Sequence, residues 1–220
     1  MQNTQQVKIR KLVMGAMLSA ITVLLTFTPI GMIPLPPPLL AVTMVHIPVL
    51  VAVLSEGLWV GVITGVTFGV CSFIRAWELG SVSLTLFFRN PLVSIVPRIC
   101  IPFLAFFVFW AWKRCVKQTP VMDKVGIILS AVLGSIANTV LCLGVLFLIY
   151  GKDLTELINQ MILSGNAQAS YQNEAGAWLV SIVGLPNGIA EAVVSAILVP
   201  MIVMAVQKIT KTKKDRGATR

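Results

Sequence analysis

A few polar side chains lie in stretches otherwise made of apolar residues, and their spacing is the first clue to the chemistry of this chain. Glu191 follows Asn187 by four positions, so on a helix both project from one face, one turn apart. Asn138, followed by Thr139, interrupts the apolar run from Val125 to Tyr150, and Arg98 interrupts the run from Pro91 to Trp112. Arg89 and Asn90 stand just before that second run. His46, the single histidine, sits with Thr43 at the start of another. A guanidinium with two amides is a recognition set for a small ligand that carries a carboxylate and hydroxyl or amide groups.

Each of these residues also has a purely structural reading. Arg98 and Glu191 can neutralise each other between helices, and the asparagines can pair in interhelical hydrogen bonds. Arg75 and Arg89 can be anchors at the water interface, and His46 a packed residue with its polar atoms satisfied. Catalysis is less well provided for. Only Glu191 is a carboxylate clearly inside an apolar run, thin material for a proton relay. The chain has no Gly-x-x-x-x-Gly-Lys-Ser/Thr loop to cradle ATP phosphates, no Gly-x-Ser-x-Gly and no His-Glu-x-x-His. Cys71, Cys100, Cys115 and Cys142 are scattered without Cys-x-x-Cys spacing and read as small apolar packing residues. With one histidine there is no basis for a multi-histidine metal site, and neither metal nor cofactor is expected.

The elements that must position these groups are membrane helices. Of the 220 residues, 57% are hydrophobic and only 11% charged, with a mean hydropathy of +0.91. That is too little charge to cover a soluble domain. The formal net charge of +9 gathers in short clusters between or beyond apolar runs, unlike the aromatic-interleaved basic surface of a nucleic-acid binder. The first apolar run has no small-residue cleavage site and is followed by others, so no secretory leader is expected.

A spanning helix needs about 20 mostly apolar residues. Candidate spans fall near residues 11–27, 42–55, 58–77, 91–112, 125–150 and 178–206, the second of them short. The expected fold is an all-α integral membrane protein of six transmembrane helices. Residues 1–220 form one membrane domain ending in a basic cytoplasmic tail, 207–220. Six crossings put both termini on one side. The positive-inside rule makes that side the cytoplasm, since it carries Lys8, Arg10, Lys11, Lys113, Arg114, Lys117, Lys124 and the cations from Lys208 onward. The other side carries Arg75, Arg89, Arg98 and Lys152.

Three connecting features narrow the function. Between Pro29 and Leu40 stand five prolines and almost no polar side chain. Such a segment is neither helix nor solvated loop, and irregular backbone at membrane level is tolerated where it lines a cavity, which suggests a lid. From Gly151 to Ala177 runs a long outer loop. Its first half spaces Leu154, Leu157, Ile158, Met161 and Ile162 as an interfacial amphipathic helix, and its second half is polar and expected to be mobile. In the first span Gly15, Ala16, Ser19 and Ala20 form a small-residue stripe that lets another helix approach, either within the chain or from a partner. Neither half repeats in the other, which disfavours an inverted-repeat transporter. A lid over a buried polar set, with no energy-coupling motif, asks for an external motor.

The ordered set of features resembles the substrate-binding S component of energy-coupling factor (ECF) vitamin transporters over nearly the whole chain. The resemblance is carried by Ala16-x-x-x-Ala20, the Pro-rich loop, Thr43-Met44-Val45-His46-Ile47-Pro48-Val49, the Gly57-to-Gly69 run, Arg89-Asn90-Pro91…Pro97-Arg98 and Asn187-x-x-x-Glu191. The Thr-x-x-His-Ile-Pro segment looks most like the pantothenate-specific branch. The resemblance implies a six-helix fold in a bacterial plasma membrane, with substrate held near the outer face. It implies two kinds of partner, a transmembrane coupling subunit and two cytoplasmic ATPases. The first-span stripe would meet the coupling subunit, and the whole subunit would topple to deliver its cargo. The expected activity is capture without chemistry. Arg98 would take the ligand carboxylate, Asn138 and Asn187 its hydroxyl or amide groups, and Thr43, His46, Arg89, Asn90 and Glu191 complete the candidate site. Another small vitamin, of folate or pyridoxine type, is the alternative within the class. Outside it stand an intramembrane enzyme, which would turn over lipid or isoprenoid, and a purely structural membrane subunit, which would bind no ligand.

Overall fold

The structure is a computed structural model that describes residues 4–33, 42–78, 85–117, 119–165 and 167–218. Most of the Pro-rich stretch read as a lid, residues 34–41, lies outside the described residues.

Helix α1 (Thr4–Phe27) stops at Thr28-Pro29, and the chain makes a 3-10 turn over Pro29–Gly31. Strands β1 (Met32–Ile33) and β2 (Val42–Thr43) then pair antiparallel, Met32 opposite Thr43 and Ile33 opposite Val42. The Met44 N–H donates to the Gly31 carbonyl at 2.9 Å. Both roots of the 34–41 segment are therefore fastened together.

The short second run forms α2 (Ile47–Glu56), ten residues long. At 1.5 Å per residue it rises about 15 Å, half of a hydrocarbon core. Every residue of it except Ser55 is buried, which explains a run that is apolar all round. It is the axis of the bundle and not a lipid-facing span. Gly57, with φ of 100°, turns the chain into α3 (Leu58–Glu78).

A 3-10 turn at Thr85–Arg89 and the four-residue α4 (Pro91–Ser94) lead into α5 (Val96–Cys115). The fifth run is longer than its apolar stretch predicts: α6 extends from Pro120 to Leu163, with a break at Tyr150 (φ −121°, ψ 21°). The segment expected at the lipid interface is thus the continuation of α6. It packs inward, burying Leu154 and Ile158 against Trp178, Leu179 and Val93. The loop after it is tied back where Asn173, at a φ of 61°, exchanges two hydrogen bonds with Asn159 (2.9 and 3.1 Å).

The last run begins with α7 (Ala175–Trp178), is wound as a π-helix over Leu179–Gly184, and continues as α8 (Leu185–Ala218). Pro186 accounts for the π turn, because it has no N–H with which to continue the i to i−4 ladder.

Among the described residues five helical stretches are long and apolar enough to cross a membrane, and α2 is a sixth, shorter apolar helix. Contacts fix their sense. Arg10 and Glu56 form an ion pair at 2.5 Å, so α1 begins where α2 ends. Lys113 and Asp123 (3.9 Å) join the end of α5 to the start of α6. The α6 and α8 helices run antiparallel, with Leu143 against Gly184 and Thr139 against Gly188. The start of α1, the α2–α3 and α5–α6 turns and the far end of α8 therefore share one end of the bundle. The basic residues of the expected cytoplasmic side up to Lys208 gather there.

Two apolar cores fill the molecule. The larger surrounds α2 and includes Ala131 of α6 and Val199 of α8. The smaller holds Leu146 of α6 and Val183 ahead of α8. Between them, on both helices, lies a polar layer.

Candidate functional site

On α6 the buried face reads Ala131, Ser135, Asn138, Cys142, Leu146, and on α8 it reads Asn187, Glu191, Ser195, Val199. The spacing of three and four residues keeps each set on one stripe. Polar side chains here are costly to insert in a membrane, about 2.5–3.5 kcal/mol for a central charge, so their partners decide their role.

Glu191 is fully engaged. Its Oε1 accepts from the Thr43 backbone N–H (3.0 Å) and the Thr43 hydroxyl (2.5 Å), and its Oε2 accepts from the Thr139 hydroxyl (3.4 Å). Beside it, His46 Nε2 and the Ser195 hydroxyl share a hydrogen bond at 2.8 Å. These contacts pin the start of α2 and its preceding strand onto α8.

Arg98 is different. It is placed by glycines on α3, where Gly65 and Gly69 bring the backbone at the start of α5, at Arg98 and Ile95, to contact distance. A Cβ on Gly65 would stand 2.8 Å from the Arg98 carbonyl oxygen. The guanidinium lies 5.4 Å from the rings of both Phe68 and Phe88, a cation–π arrangement. Its Nη1 donates to the Val93 carbonyl (2.9 Å) and to Cys142 Sγ (3.2 Å). The ion pairs among the described residues are Arg10–Glu56, Arg75–Glu78 and Lys113–Asp123. The expected alternative, mutual neutralisation of Arg98 and Glu191, does not occur: one holds a carbonyl and a thiol, the other two threonines.

Several buried polar atoms of this layer have no hydrogen-bond partner among the described residues: Arg98 Nε, Asn138 Oδ1, Asn187 Oδ1 and Ser135 Oγ. Buried donors and acceptors are nearly always paired, so a cluster of unpaired atoms in one layer is where a ligand or ordered water would find partners. The asparagines do not satisfy each other's carbonyl oxygens, as interhelical pairing would require.

The remaining candidates fall elsewhere. Arg89, half-buried, donates to the Ala76 carbonyl (3.3 Å) and lies over the Trp77 ring at 4.8 Å. Asn90 caps α4 by accepting from the Leu92 N–H (3.0 Å), and its Nδ2 donates to the Tyr150 hydroxyl (3.1 Å) at the break in α6. Both brace the outer end of the bundle and do not enter the polar layer. The layer also contains Thr139, Ser135, Ser195 and Cys142, which the candidate set omits. Their stripe positions beside Asn138 and Glu191 were the available signal for the hydroxyls.

The α1 stripe divides into two faces. Gly15 is buried, with Val60 3.3 Å from where its Cβ would be. The hydroxyl of Ser19 accepts from that of Thr67 (3.4 Å). Ala16 and Ala20 are exposed, beside Leu12, Met17 and Leu24. A separate apolar groove of about 730 Å³ runs between the outward faces of α6 and α8, lined by Val140, Phe147 and Ile189 among others.

A family model for the substrate-specific component of ECF transporters matches residues 10–203. The chain belongs to this family. A comparison with individual curated proteins finds no match. The protein is thus a multi-pass membrane protein, in bacteria of the plasma membrane, and a substrate-binding subunit of an ECF transporter. Such S components are transport subunits and not enzymes, and membership implies a vitamin-type substrate together with ECF coupling and ATPase partners.

Proposed function

We propose that this S component captures pantothenate, with the polar layer as its site. The observation that carries the reading is Arg98: a buried guanidinium with no carboxylate partner among the described residues, its Nε unbonded. A buried cation left without an anion is strongly unfavourable, and a ligand carboxylate supplies the missing charge and acceptors. Asn138, one turn from Cys142 on the same stripe, and Asn187 on the facing helix offer amides to the hydroxyl and amide groups of pantothenate. Glu191, Thr43 and His46 tie β2 and the start of α2 to α8 beside the layer.

The coupling surface in this reading is the exposed pair Ala16 and Ala20, where small side chains let a partner helix come close. Delivery follows from docking to the coupling subunit and its two cytoplasmic ATPases, with both termini of the S component in the cytoplasm. Calorimetry of the purified chain in detergent against a panel of vitamins tests the substrate. One-to-one binding of pantothenate without ATP is expected, and binding of a different vitamin instead would replace pantothenate as cargo.

A further inference from the structure

The role of Cys142 in the polar layer goes beyond packing. Its sulfur is one of two acceptors on a single nitrogen: Arg98 Nη1 donates both to Cys142 Sγ (3.2 Å) and to the Val93 carbonyl (2.9 Å). A terminal guanidinium nitrogen has two N–H groups, so Nη1 is fully used. The opposite edge of the guanidinium, made by Nε and Nη2, has no hydrogen-bond partner among the described residues, and Nε is buried. Those two nitrogens present parallel N–H groups, the fork that takes both oxygens of a carboxylate. The rings of Phe68 and Phe88, each 5.4 Å from the guanidinium carbon, flank the same group.

We infer that Cys142 is a positioning residue for ligand selection: with the Val93 carbonyl it occupies Nη1, so that the Nε–Nη2 edge of Arg98 meets the ligand and favours a two-oxygen anion. The inference rests on the reading of the polar layer as the substrate site. A thiol suits the task. It is a weak acceptor, strong enough to orient the guanidinium and too weak to replace the ligand carboxylate as its counter-charge. A carboxylate at position 142 would neutralise Arg98 within the protein.

The test compares pantothenate with its alcohol analogue, in which a CH2OH group replaces the carboxylate, by calorimetry on the full chain. Cys142→Val is expected to lose affinity for the acid while its affinity for the alcohol stays unchanged. Cys142→Ser keeps an acceptor and retains most of the acid's affinity. Cys142→Ala carries the same comparison should the valine variant fail to fold. Equal losses for acid and alcohol would reduce Cys142 to packing and overturn the inference, as would an unchanged acid affinity in Cys142→Val. Both results leave the pantothenate reading standing. Absence of pantothenate binding to the unsubstituted chain overturns that reading and this inference with it.

Discussion

Thr43 gives both its backbone N–H and its hydroxyl to one oxygen of Glu191, at 3.0 and 2.5 Å, across 148 positions of sequence. The contact joins the last residue of β2 to the second turn of α8. Because β2 is paired with β1, it fastens both ends of the 34–41 segment to the wall of the polar layer. A carboxylate inside a membrane helix is thereby engaged within the chain, which separates its role from that of Arg98.

Removing that carboxylate strands three donors, the Thr43 N–H and hydroxyl and the Thr139 hydroxyl. Glu191→Ala is expected to destabilise the chain by about 3 kcal/mol or more, since each buried group left unpaired costs about 1–3 kcal/mol. Glu191→Gln, whose amide oxygen can still accept from Thr43, loses less. Thermal unfolding in detergent measures both, and equal losses would mean that the charge and not the hydrogen bonding matters.

The α3 glycines make a second prediction. A methyl group on Gly65 meets the Arg98 carbonyl oxygen at 2.8 Å, whereas one on Gly144 meets nothing within 4 Å. Gly65→Ala should cost about 1–3 kcal/mol by overpacking and lower ligand affinity by displacing Arg98. Gly144→Ala should be neutral or slightly stabilising, because alanine is the better helix former. Binding isotherms and melting curves of the two variants discriminate a positional effect from a general intolerance of alanine.

The two faces of the α1 stripe predict opposite phenotypes. Ala16→Trp with Ala20→Trp leaves the chain folded and ligand-competent but blocks co-purification with the coupling subunit. Gly15→Trp, aimed at Val60, destabilises the S component itself by overpacking. Intact assembly of the Ala16/Ala20 double variant would remove that face from the docking surface.

How far the sequence carries is clearest residue by residue. Long apolar runs mark membrane helices, and the helical class and the shared end of α1's start and α8's far end were legible because hydropathy and charge placement obey the bilayer. The short run read as a second span is instead the buried α2, too short to cross. The π turn before α8 and the inward packing of 154–162 were not, since an amphipathic period cannot say whether its apolar face meets lipid or protein. The same limit applies to α1: Gly15 and Ala16 are adjacent in sequence and point to different faces. In the polar layer, Asn138, Asn187, Arg98 and Glu191 stood out because each is expensive in an apolar run. Cys142 did not, because a thiol looks apolar until its neighbour is known to be a guanidinium. Arg89 and Asn90 stood out equally, yet they brace Trp77 and Tyr150, a distinction that only tertiary contacts make.

The most direct measurement is the affinity of pantothenate for Arg98→Met, set beside the unsubstituted chain under identical detergent conditions, with thermal unfolding confirming that both are folded. The account predicts one-to-one binding to the unsubstituted chain and a loss of at least about a hundredfold in the variant, the scale expected when a buried charge-assisted pair loses one member. Pantothenate bound equally well by both would contradict it, and would leave Arg98 a structural cation held by Val93, Cys142 and two aromatic rings.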